Sequence, residues 1–248
     1  MAYALVGSAG TASVSTSGGN VTPAYGAGSS RTANNLLLCF VSGTSGGVTV
    51  LTYAAPSGWL STANLSDGAG NAAVSIFYKI AAGSDAAPTI TGLAGFITAV
   101  HLEEWSGGEF FGGGSIPLDQ TGNAGSPSSP LTVILNNANL LSGELVAMVG
   151  ADRRSVARAS NDTWTSNHGT PTLRASNNGV SSVDHYSHAT LVSNSNSGAD
   201  NVSMTLSITT SITSLLGLAA SFQVLPPPAD NPPVGYPRWR SNKAILAQ

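Results

Sequence analysis

The chain has 248 residues, of which 8% are charged and 42% hydrophobic, with a formal net charge of −3. That charge is too small to draw the protein to DNA or to a membrane surface, and the supply of apolar residues excludes a disordered chain. Soluble domains usually carry roughly 25% charged residues, so this surface is expected to be covered by Ser, Thr, Asn and Gly instead.

The N-terminal "MAYALVGSAGTASVSTSGG" lacks a basic region followed by a sustained apolar stretch. It predicts no secretory leader, and no run of the chain approaches the length of a membrane span, so folding is expected in a cytoplasm. The apolar run "NNLLLCFVSG" holds the single cysteine, Cys39. No intramolecular disulfide can form, and a core thiol is expected. "GTSGG" (43–47) resembles the turn around a serine nucleophile. That chemistry needs a histidine base and an orienting carboxylate, neither of which stands in a recognisable context, so Ser45 is read as part of a turn.

Strand signals then recur while helix signals are nearly absent. "NAAVSIFYKI" (71–80) sets Val74, Ile76, Tyr78 and Ile80 on one face and Ala73, Ser75, Phe77 and Lys79 on the other. "GFITAVHLEEW" (95–105) alternates likewise, and "ELVAMVG" (144–150) is short and apolar. "NVSMTLSITTSITSLLGLAASFQV" (201–224) reads as two strands joined by a bend of small residues. Turn clusters lie between them: "SDGAGN", "AAGSDAAP", "GNAGSPSSP" and "ASNNGVSS". The prediction is an all-β, antiparallel β-sandwich, jelly-roll-like, built from many short strands.

The halves echo one another. "NNLLLCFVSG", Trp59 and "SIFYKIAAGSD" are answered by "NNANLLSGELVAMVG", Trp164 and "SVDHYSHATLVSNS". Trp59 to Trp164 is 105 positions and Tyr78 to Tyr186 is 108, which fits two pseudo-repeated halves of one sandwich. The expected division is 1–225 as the sandwich, with halves of about 1–121 and 122–225, and 226–248 as a proline-rich arm.

The order of landmarks resembles a β-sandwich family of phage and prophage virion proteins, found in minor tail, fibre and head-decorating components. Phe77, Tyr78 and Lys79 match its Tyr-Tyr-Lys-like strand end, and Gly83, Ser84 and Asp85 match the Gly/Ser-acidic turn after it. Trp105, Ser106 and Gly107 match its aromatic-Ser-Gly turn. The resemblance covers about residues 1–225, and the family implies no catalytic residues.

Four clusters carry candidate chemistry. "HLEEWSGGE" gathers His101, Glu103, Glu104 and Glu109. Paired carboxylates serve glycoside hydrolysis, but Glu103 and Glu104 point to opposite faces of a strand. His101 and Glu103 share a face and could pair or bind a metal; the plainer reading is a polar strand end. Asp184, His185 and His188 stand close in "SSVDHYSHAT", yet the two histidines project to opposite faces and no second cluster completes a zinc site. No metal, cofactor or catalytic residue is predicted. "GADRRSVARAS" holds Arg153, Arg154 and Arg158, one-third of the positive charge, which could grip an anionic partner or glycan. Trp59, Trp105 and Trp164 border polar loops, where an exposed indole would suit a sugar ring; the paired Trp59 and Trp164 read as architectural. Trp105 is therefore kept as a possible glycan contact.

Six of the thirteen prolines fall between Pro226 and Pro237. That stretch is expected to be extended and semi-rigid. It leads to Tyr236, Arg238, Trp239, Arg240, Lys243, Ile245 and Leu246, and aromatic and Arg side chains are common anchors of interfaces. These residues predict a docking arm. The expected function is a non-enzymatic structural component of a virion, synthesised in a host cytoplasm. Its expected partners are capsid or tail subunits, itself as a homo-oligomer, or a host surface glycan, with no nucleic acid and no membrane. A carbohydrate-binding receptor-recognition module is the alternative, which exposed loop tryptophans would favour. A hydrolase would need a convergent carboxylate pair or triad.

Overall fold

The computed structural model describes residues 2–15, 18–45, 52–69, 71–107, 118–126, 128–135, 140–154, 163–176, 184–194, 202–207 and 212–224. Among the described residues there is no helix. Fourteen strands are formed by the described residues, in chain order. The first six are β1 (Ala4–Leu5), β2 (Ser13–Ser15), β3 (Leu36–Ser45), β4 (Leu60–Ser66), β5 (Ala72–Ile80) and β6 (Phe96–Ser106). The next four are β7 (Leu118–Ser126), β8 (Leu131–Leu135), β9 (Leu145–Arg154) and β10 (Thr163–Ser166). The last four are β11 (Thr172–Ser176), β12 (Asp184–Val192), β13 (Val202–Ser207) and β14 (Ile212–Phe222).

They form three antiparallel sheets. The first has the order β1-β6-β3-β5-β4, with β2 also on β6; the second runs β7-β14-β9-β12-β11, and the third is β10-β13-β8. Apart from β2, the first two sheets thus have one connectivity, and the change of sheet falls between Ser106 and Leu118. The turns that feed the central strands match too. Asn34 N–H bonds Ala81 O and Ala81 N–H bonds Asn35 O; Gly143 N–H bonds Ser193 O and Ser193 N–H bonds Glu144 O in the same pattern. Asn34 and Gly143 both have positive φ there, 72° and 93°, a conformation that Asn and Gly tolerate best.

This register makes Leu36 equivalent to Leu145. Each opens a central strand, paired with Trp105 and Ile80 in one case and with Phe222 and Val192 in the other. The sequence echo is corrected in detail by it. Tyr78 lies opposite Leu38 and Tyr186 opposite Ala151, so the two tyrosines stand on different rungs. The first sheet's "NNLL" answers "GELV" rather than "NNAN".

Three apolar clusters explain why the central strands are apolar on both faces. The two large sheets pack face to face through Leu36, Leu38, Phe40, Ile76, Val149 and Leu218, among others. The outer face of the second sheet packs on the third through Val133, Met148, Trp164 and Leu206. The outer face of the first is covered by Val21, Tyr53, Trp59 and Ile90 from its own connecting segments. A one-residue step along β5 moves a side chain from the middle cluster to the outer one, and Ala72 to Tyr78 are all buried. Each fully buried Leu or Phe adds about 1.5–3 kcal/mol.

Two expected turns are strands. Gly43 to Ser45 continue β3, where glycine is needed because a Cβ on Gly43 would meet Tyr53 Oη. Gly122 to Ser126 of "GNAGSPSSP" lie in edge strand β7, where a Cβ on Gly122 would meet the backbone of Ile134. Small residues there permit close backbone approach, which reads in sequence like a loop.

The N-terminus clasps the halves together. Ala4 and Leu5 pair with β6. Tyr3 N–H donates to Gly143 O and its Oη donates to Gln223 O, each at 3.0 Å.

Candidate functional site

Several described polar side chains that could carry chemistry converge in a strip buried between the two large sheets. β6 turns His101, Glu103 and Trp105 into this seam, and β12 turns Tyr186, His188 and Thr190 toward them. His101 and Glu103 pair, with Nε2 3.2 Å from Oε1, both side chains at 0% exposure. Trp105 Nε1 donates to Glu103 Oε2 at 2.8 Å. Arg174, on β11, lies with its guanidinium 5.3 Å from the Trp105 ring centroid. Its Nε donates to Thr190 Oγ1 at 2.6 Å and stands 3.6 Å from Glu103 Oε1. Ser42 Oγ and His188 Nε2 are 2.9 Å apart. Phe40 lies against both imidazoles, and their ring centroids are 5.9 Å apart. The Nδ1 atoms of both histidines lack a hydrogen-bond partner.

Burial, and then the proximity of His101, holds His188 well below the usual histidine range. It is therefore neutral at physiological pH. Ser42 and His188 form a nucleophile–base contact of the kind hydrolases use, but both are 0% exposed. His188 Nδ1 has no hydrogen-bond partner, so no carboxylate orients the ring as a catalytic triad requires.

The strip has an apolar mirror image. Under the register above, His101 answers Leu218, Glu103 answers Ala220, Trp105 answers Phe222, His188 answers Ile76, Thr190 answers Tyr78 and Ser42 answers Ala151. One rim of the seam is thus polar and the other hydrocarbon. A strip of this kind fixes which way the halves dock, because sliding either sheet would leave buried polar groups unpaired.

Glu104 faces the other way. Its carboxylate accepts from Ser29 Oγ (2.5 Å), Arg31 N (2.7 Å), Thr32 N (2.8 Å) and Asn35 Nδ2 (2.6 Å). Burial works against its charge, yet these bonds outweigh that and hold its carboxyl below the usual range. It organises the turn that enters β3. Cys39 is buried, as expected, and burial pushes its thiol up.

Lys79 pairs with Asp85 at 2.5 Å, across the turn in which Gly83 and Ser84 have φ of 87° and 59°. Arg153 Nη1 donates to Asn71 Oδ1 at 2.7 Å, so this predicted partner contact ties the second sheet to the β4–β5 turn. Beside that tie an open cleft of about 400 Å³ is lined by Leu65, Asp67, Asn71, Ser126, Ser214 and Leu216, among others. Burial opposes the charge of Asp67, but bonds from Ser214, Asn71 and Ala72 hold its carboxyl low.

Trp105 is buried rather than exposed at the end of β6. It is 1% exposed, and Trp59 and Trp164 are 7% and 6% exposed, so no sugar ring can stack on these three. Trp59 and Trp164 each fill the outer cluster of their own half, in keeping with an architectural role. Arg154 closes β9 opposite Ile212, while Asp184 and His185 open β12. The side chains of Ser45, Arg154, Asp184 and His185 lie outside the described residues. So do Glu109, Arg158 and the arm residues Tyr236, Arg238, Trp239, Arg240, Lys243, Ile245 and Leu246. Among the described residues no group of three or more His, Cys, Asp or Glu could hold a metal ion. Arg174 was not singled out by sequence, though it is the only charge in "TPTLRASNN", and a lone charge in a neutral strand is a signal for a buried pair.

The fold defines an all-β antiparallel sandwich of two like-connected sheets with a cover on each outer face. Comparison with protein-family models, curated proteins and solved structures finds no match for the chain.

Proposed function

We propose that the protein is a non-enzymatic structural component of a bacteriophage virion, a head-decoration or minor tail or fibre protein, attached through residues 226–248. The observation that carries this reading is the role of the residues that resemble virion sandwich proteins. Lys79 and Asp85 lock the turn after β5, Trp105 anchors the polar strip, and Gly107, at φ 101°, lets Ala2 and Tyr3 pack over the end of β6. All of them close the fold. The polar chemistry is sealed inside, which suits a body whose work is done by surfaces and edges. Banding particles by density and quantifying their proteins by mass spectrometry tests this. The chain should co-band at a fixed ratio to the major capsid or tail subunit, and its absence from banded particles would end the proposal.

A carbohydrate-binding module on the virion surface is the second reading. With the three tryptophans buried, its support is the cleft beside Asp67 and Asn71, whose hydroxyls and apolar floor of Leu65 and Leu216 suit a neutral sugar. Glycan-array binding that is lost in Asn71→Ala would favour it.

A further inference from the structure

We propose that the buried polar strip is an acid-sensitive lock, whose protonation parts the two large sheets along the β6/β12 rim while each half keeps its own outer core.

The geometry at His188 carries the first part. An imidazolium has two N–H donors, but among the described residues the only acceptor at this ring is Ser42 Oγ; Nδ1 has no hydrogen-bond partner. A second imidazole stands with its centroid 5.9 Å away and is itself orphaned at Nδ1. The groups facing this pair are few. β6 brings Glu103, already occupied by Trp105 Nε1 and His101, and β11 brings the Arg174 guanidinium, bonded to Thr190 and 3.6 Å from Glu103. β12 itself brings the phenol of Tyr186, 5.1 Å from His188 between ring centroids. The seam faces of β3, β5, β9 and β14 contribute hydrocarbon, the hydroxyls of Ser42, Thr44 and Ser214, the phenol of Tyr78 and, at the end of β9, the Arg153 guanidinium, which is bonded to Asn71. A proton taken up here is left unsolvated unless the sheets separate and admit water.

The three-cluster architecture carries the second part. Loss of the middle cluster on one rim leaves the outer clusters around Met148 and Trp164, and around Tyr53 and Trp59, intact. The opposite rim is held by the Tyr78–Phe222 edge-to-face contact at 5.6 Å and by the Arg153–Asn71 hydrogen bond, and burial pushes the Tyr78 phenol further above neutrality. That rim can act as the hinge.

The test compares two thiols in one molecule. Ala147→Cys places a thiol in the seam, and Cys39 reports the outer core of the first half. Both are followed with 4,4′-dithiodipyridine, which reacts in acid, between pH 7 and pH 5. The seam thiol should react about tenfold faster for each pH unit below about 6.5, as one proton is taken up on opening. Cys39 should stay unreactive. In a background of His101→Leu and His188→Ile, which copies the residues of the mirror rim, the acceleration should vanish. The proposal is overturned if the seam thiol ignores pH, if both thiols become reactive together, or if the double variant keeps the acceleration. Should the double variant fail to fold, the two thiols in the histidine-containing protein still decide the matter.

Discussion

Arg174→Ala should be among the most destabilising changes available at a partly exposed position. The Arg174 side chain is 19% exposed while that of its partner Glu103 is 0% exposed, so removal leaves a buried carboxylate facing only Trp105 Nε1 and His101. Breaking a buried pair from one side costs about 3–5 kcal/mol. The 3.6 Å separation and the bonds that Glu103 retains place this case at the lower end, at about 3 kcal/mol. In a domain of this size that corresponds to a fall in Tm of roughly 6–12 °C. Guanidinium unfolding followed by circular dichroism measures it, in a cycle with Glu103→Gln. The charge-neutral partner should recover about 1–2 kcal/mol of the loss, because the stranded charge is the main penalty. Arg174→Lys should fall between, keeping the charge but losing the planar stack on Trp105. A loss below about 1 kcal/mol, or strict additivity with Glu103→Gln, would show Arg174 to be an ordinary surface cation and would refute the sealed strip.

Three further outcomes are expected. Glu144 is 2% exposed with Oε2 unpartnered, and burial, opposed by a bond from Leu141 and helped by Asp119, raises its carboxyl from 4.5 to about 7. Its folded value exceeds its unfolded one, so the stability it contributes is full below about pH 4.5 and is lost as pH rises through about 7. Screening by nearby solvent holds this to about 1–2 kcal/mol, and Glu144→Gln should remove that part of the pH slope in urea titrations; an unchanged slope would rule it out. Glu104→Ala strands two backbone N–H groups and should cost at least about 3 kcal/mol. Hydrogen exchange should quicken first at residues 29–35, and uniform quickening would contradict the local role. Native Cys39 should resist maleimide at pH 8 and label only at the rate of unfolding, since the thiolate is the reactive form and burial suppresses it.

The strands were legible because Val, Ile, Thr and aromatic residues alternate between turn signals; β5 and β14 fall within the segments read as strands, while β6 and β9 run one and four residues past theirs. The duplication was legible only as an echo. Register depends on which residue pairs with which, so Tyr78 and Tyr186 looked equivalent while standing on different rungs. Glycines at Gly43, Gly122 and Gly125 misled, because close backbone approach and a loop call for the same residue. At the candidate site, the shared face of His101 and Glu103 followed from strand alternation, and their pairing is seen at 3.2 Å. That His188 and Arg174, more than seventy positions away, close the same cluster is tertiary information. No local pattern encodes it.

The most direct measurement of virion attachment is co-sedimentation of the full chain and of residues 1–225 with particles stripped of this protein. All three apolar clusters lie within 1–225, so both forms should fold. Pelleting of the full chain alone is the predicted result and makes residues 226–248 the anchor. Equal pelleting of both forms would contradict the docking arm and move the attachment to the sandwich itself.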